Sequence, residues 1–194
     1  MTRSLRAALA ATIIAFVVLV VIVDKQLWRA GSSTVPEASA AEPAGGDSIA
    51  IAASAVKSCV HEDGTHKIPC YEKILIPLVD QGGPKLAMGT LMQVSHADKE
   101  VQAFGHVYAH AIGIHAFDVD RNVERTFSSC NDAFQSGCYH GVIEAYFTHS
   151  SKVDTASVRQ LCVPWVQNGV YGWLRFQCMH GLGRGLTMWY QHDL

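Results

Sequence analysis

The sequence predicts an all-α domain built from degenerate helical hairpins and preceded by an N-terminal transmembrane helix. Three observations carry this. A phrase recurs, Cys138-Tyr139-His140-Gly141 and Cys178-Met179-His180-Gly181, with an echo at His110-Ala111-Ile112-Gly113. Apolar residues return at three- and four-residue spacing in several segments, while none alternates for long enough to argue for a sheet. The run 7–23 is apolar throughout except for Thr12.

As a helix the run 7–23 covers roughly 25 Å, slightly short of a hydrocarbon core, but Leu27 and Trp28 extend its apolar face and Arg6 and Lys25 can snorkel. Arg3 and Arg6 place the N-terminus in the cytoplasm, with Lys25 and Arg29 weakening that bias. A cleaved signal peptide is the competing reading, with Ala38-Ser39-Ala40 as the cleavage site; that site lies far downstream of a run longer than signal peptides carry. Residues 1–29 therefore read as a cytoplasmic tip and signal anchor. The lipid bilayer is the partner of residues 7–23, the inner (cytoplasmic) membrane the location, and the periplasm the side on which the rest lies.

Residues 30–47, rich in Ala, Ser, Gly, Pro and Glu, describe a flexible linker, and 48–194 a single domain. With 49% of the whole chain apolar, that domain can bury a core. A net charge of −2, without a Lys/Arg cluster beyond the first few residues, argues against nucleic-acid binding. Six cysteines in an exported domain favour disulfides, and local spacing pairs Cys59 with Cys70, Cys130 with Cys138, and Cys162 with Cys178.

Residues 71–80 have helical spacing interrupted by Pro77, and Gln81-Gly82-Gly83 ends that segment before Pro84 opens another. From Ser95 as cap, Val101, Phe104, Val107, Tyr108 and Ala111 define one helix that carries His106 and His110. Further helices are expected at 120–129, 138–147, 154–162 and 176–190, with Asp120 and Asp154 as caps. Each hairpin reads as a helix ending near a cysteine, a connection, and a helix opening on Cys-x-His-Gly. Residues 192–194 resemble the start of another hairpin, with an ordinary frayed end as the plain alternative.

Positions i and i+4 share a helix face, so His106 lies beside His110, His140 beside Glu144, and His180 beside Arg184. Superposing the helices on His110, His140 and His180 gathers four imidazoles, a carboxylate and a guanidinium. Imidazole suits transition metals, so His106, His110, His140 and His180 are the expected ligands of Zn, Cu or Fe. Glu144 is the expected acid/base or extra ligand and Arg184 the anion partner, for metal-assisted hydrolysis or oxidation if the protein is an enzyme. The plainer reading is that these histidines are hydrogen-bonded in the interior. A cysteine and histidine two apart on a helix point about 200° from each other, which turns the cysteines outward into disulfides.

The alternative function is a non-catalytic accessory subunit of a larger membrane complex, its histidines structural. A b-type haem between two histidines, walled by Phe104, Phe147 and Trp189, is a second alternative; Cys-x-x-Cys-His is absent, so covalent haem is not signalled. His61, His66, His115, His149 and His192 read as loop, surface or packing residues, with His115 the best extra candidate. Gly183 and Gly185 are explained by close helix packing as well as by phosphate binding.

Overall fold

The computed structural model describes residues 46–166 and 172–190, which belong to one compact unit running from Pro43 onward. The apolar run 7–23, the linker up to residue 45 and His192 lie outside the described residues. No helix among the described residues is long and apolar enough to cross a membrane. There is no strand among them either. The helices are α1 (Gly46–Cys59), α2 (Gly64–Leu75), α3 (Pro77–Ala97), α4 (Lys99–Ala103), α5 (Gly105–Asp120), α6 (Val123–Ser129), α7 (Ala133–His149), α8 (Thr155–Leu161) and α9 (Trp173–Trp189). A 3-10 turn at Val163–Trp165 follows α8.

The long helices pack in series, α1 on α3, α3 on α5, α5 on α7 and α7 on α9, and the α5–α7 contact is the most extensive. The three disulfides follow the expected pairing, with Cα separations of 5.7–5.8 Å. They tie α1 to α2, the end of α6 to α7, and the end of α8 to α9, each closing a short loop and contributing about 2–4 kcal/mol. Turning the cysteines away from the histidines is what helical geometry requires of Cys-x-His.

Local chemistry sets the breaks. Pro77 opens α3, where its missing N–H costs nothing. Gly82 and Gly83 leave helical geometry, Gly83 at φ 69°, and Pro84 starts the next helical stretch, as the sequence indicates. Asp154 caps α8 through a reciprocal capping box with Ser157.

Elsewhere the expected boundaries move. The helix expected from Ser95 does not exist as one element: Ser95 sits inside α3, Asp98 caps α4, and the chain breaks again at Phe104 before α5. Asp98 causes the first break. Its carboxylate accepts from the backbone N–H groups of Glu100 and Val101, accepts the Tyr71 hydroxyl at 2.9 Å, and pairs with Lys67 Nζ at 3.3 Å. Burial alone would raise the Asp98 carboxyl, but Tyr71, the Glu100 N–H and Lys67 outweigh it and hold it below the usual range. Burial likewise works against the Lys67 charge, and Glu100 and Asp98 more than offset it, raising the ammonium group.

Phe104 and Val107, expected on the apolar face, are 50% and 44% exposed. Asp120 ends α5 instead of capping α6; Asn122 is the cap, and Asp120 takes Arg125 and Thr126. Tyr71, Tyr108, Phe127 and Phe147 are the largest side chains fully inside the core.

Candidate functional site

Glycine decides how α5 and α7 meet. A Cβ placed on Gly141 would lie 2.1 Å from the His110 carbonyl oxygen, one on Gly113 2.1 Å from the Cys138 oxygen, and one on Gly137 2.6 Å from the His106 oxygen. The two helices therefore touch backbone to backbone. On the other side of α7 the contact is side chain to backbone: Gly181 and Gly185 of α9 receive the Ile143 and Phe147 side chains. The glycine of each His-Gly pair thus makes room for a neighbouring helix, while the histidine beside it points along the packed edge.

Two polar rungs result. The first crosses α5, α7 and α9 as His106, His140 and His180, with ring centroids 5.4 Å and 5.0 Å apart. The second, one turn on, is His110, Glu144 and Arg184: His110 Nε2 stands 3.1 Å and Arg184 Nε 3.6 Å from Glu144 Oε2. The equivalence read from the repeated phrase was His110 with His140 and His180. In the structure His106 is the ring beside His140, because the glycine contacts, not the matching letters, set the register.

Hydrogen bonding is uneven along the rungs. His106 Nδ1 lies 3.0 Å from the Phe134 carbonyl and, as an N–H, donates to it. That carbonyl is presented by a left-handed stretch, Phe134 to Ser136, with Gly105 against the Phe134 ring. His110 and Glu144 are within ion-pair distance but off-line for a hydrogen bond. His110 Nε2, Glu144 Oε2 and His140 Nε2 are all buried with no hydrogen-bond partner among the described residues.

Burial, seconded by the Arg184 charge and then His106, pushes the His110 imidazole down to about 4. For His140 burial leads again, followed by His180, His106, His110 and Arg184, and the value is also about 4. Both rings are neutral at pH 7. His180 is exposed and stacks on Phe176, which stacks on Trp173.

The transition-metal expectation is corrected by this geometry. Among the described residues no group of three or more His, Cys, Asp or Glu side chains could hold a metal ion. Zinc needs ligand nitrogens about 2.0–2.1 Å from one point. Here the rings stand in file at 5.0–6.1 Å, tilted or edge-on, with His106 Nδ1 committed to Phe134. His106, His110, His140 and His180 are thus neighbours without being a coordination sphere. This arrangement does not support a metal-dependent hydrolase or oxidase.

No family model, curated protein or solved structure matches this chain. Its chemistry must be read from its own residues.

Of the aromatics expected to wall a haem, Phe147 is in the core and Phe104 is half exposed. His115 pairs with Asp80 at 3.2 Å and His66 with Asp63 at 3.2 Å, both at the surface. His149, set aside in the sequence reading, reaches Asp118 at 2.6 Å. A spacing of thirty-one residues carries no local signal for that pair. Gly137 lies outside the repeated phrase, although Gly137-x-x-x-Gly141 is the kind of small-residue spacing that lets helices approach closely.

Proposed function

We propose that this protein is an exported, membrane-tethered domain of degenerate helical hairpins that binds a small hydroxylated oxyanion at the His110–Glu144–Arg184 rung. The carrying observation is that three buried atoms, His110 Nε2, His140 Nε2 and Glu144 Oε2, make no hydrogen bond among the described residues, the first and last standing 3.1 Å apart beside the half-exposed Arg184 guanidinium. Leaving each such atom without a partner costs about 1–3 kcal/mol, so a ligand that satisfies them gains affinity from groups already in place. The ligand needs acceptors for Arg184 and for imidazole N–H groups, and it needs a donor for Glu144. An anion that also carries a hydroxyl has both; Arg184 supplies fixed positive charge, since the His110 and His140 rings are neutral.

Export is supported by the cysteines, all six of which are in disulfides. The bilayer remains the proposed partner of residues 7–23, with the domain on the periplasmic side.

Inorganic phosphate and sulfate separate this proposal from simple charge attraction, because at neutral pH only phosphate keeps an O–H. Calorimetric titration of the detergent-solubilised full chain is expected to show phosphate binding about tenfold tighter than sulfate, the equivalent of one good hydrogen bond. Arg184→Ala should lose both anions. Glu144→Gln should remove the preference, because its carboxamide N–H can donate to sulfate. Equal affinities in the parent protein, or no heat with either anion, would sink the reading.

A further inference from the structure

We infer that the hollow where α5 and α7 end is a second ligand site, shaped for a small aromatic carboxylate. It lies beyond the two rungs toward the C-terminal end of α7: His149 is nine residues beyond His140 and five beyond Glu144, about 13 Å and about 7.5 Å along the helix. Its volume is about 450 Å³, and Phe117, Arg121, Tyr146 and His149 contribute to its lining. Small-molecule sites run from roughly 300 to 1,000 Å³.

Three rings line this open hollow. Tyr146 stands edge-on to Phe117 with centroids 6.2 Å apart, and His149 is tilted 30° from Phe117 at 6.2 Å. Such an arrangement offers both faces and edges to a flat ring. Two of the lining groups are fixed by the same carboxylate-bearing residue. Asp118 Oδ1 lies 2.6 Å from His149 Nε2 and accepts its hydrogen, which holds the imidazole in one orientation. The Asp118 backbone carbonyl accepts from Arg121 Nε at 2.9 Å. Arg121 Nη2 is only loosely engaged, 3.8 Å from Asp118 Oδ1, and the guanidinium carbon sits 6.0 Å from the centre of the Phe117 ring. One edge of the guanidinium is thereby left for a carboxylate, in the bidentate manner arginine favours.

The backbone at Arg121 strengthens the inference. It closes α5 in the left-handed conformation, φ 56° and ψ 12°, where helices ordinarily place glycine or asparagine. Glycine would serve the turn better, so what arginine contributes at this position is its head group. The same fact supplies a variant that removes the head group without harming the fold.

Amide chemical shifts of the full chain in detergent micelles test the site, with benzoate as probe, benzamide as its uncharged counterpart and acetate as the charge without a ring. Benzoate should shift amides within 117–123 and 146–150 saturably, with the other two at least about tenfold weaker. Arg121→Gly should abolish the benzoate response while melting at or above the parent temperature. If Arg121→Gly melts lower, Arg121→Asn tolerates the same backbone and gives the same reading. Equal binding of benzamide, an unchanged response in the arginine variants, or no saturable shift in these segments overturns the inference.

Discussion

Replacing Gly141 with alanine should destabilise the domain by about 3 kcal/mol or more, whereas the same change at Gly183 should stabilise it by up to about 1 kcal/mol. The Cβ added at Gly141 would meet the His110 oxygen at 2.1 Å, the Ile114 nitrogen at 2.8 Å and the His110 carbonyl carbon at 3.0 Å. All three are backbone atoms, which no rotamer change can move aside. Relief requires α5 and α7 to separate, and that separation opens the reciprocal contact of Gly113 with Cys138 and pulls His106 from His140. At Gly183 a Cβ meets nothing within 4 Å among the described residues, so only the gain in helix propensity is left. Urea midpoints of the two variants against the parent measure the contrast. A Gly141→Ala protein within about 0.5 kcal/mol of the parent would mean that the backbone contact is not tight.

Short-range chemistry explains most of what the sequence discloses. The disulfides join cysteines 8 to 16 residues apart, the Asp154 capping box spans three residues, and the break at Gly82-Gly83-Pro84 needs no partner at all. The closeness of His106 and His110 follows from helical periodicity alone, whereas Glu144 meets His110 and Arg184 across helices. What escapes is set by distant partners. Asp98 breaks a helix because Tyr71 and Lys67 hold its carboxylate from about thirty residues away. The register between α5 and α7 escapes for a related reason: His110-Ala-Ile-Gly resembles His180-Gly-Leu-Gly as text, but Gly113, Gly137 and Gly141 choose which turn of one helix faces which turn of the other. The metal expectation failed on the same step. Sequence placed the imidazoles close together but could not orient their lone pairs, and rings standing in file, tilted or edge-on, do not share a ligand.

Acid should unfold this domain from a pH well above that at which its carboxylates titrate. In the unfolded chain His110 and His140 take up protons near the ordinary value of 6.5; in the folded protein burial holds both down to about 4. Between those values the unfolded state binds more protons, so folding stability is complete above about pH 6.5 and falls as the pH drops toward 4. Each ring contributes about 3 kcal/mol over that span, at about 1.4 kcal/mol per pH unit. Beyond burial the His110 charge is opposed by Arg184 and His106, whereas His140 faces His180, His106, His110 and Arg184, every one of which opposes its charge. The window therefore rests most firmly on His140. Denaturant titrations between pH 8 and pH 5 should show stability declining in the parent, and His140→Phe, which keeps a ring in the core but cannot bind a proton, should lose about half of that slope. A slope unchanged in His140→Phe, or stability that rises as the pH falls through this range, would show that the imidazole row is solvated and open rather than packed between α5, α7 and α9.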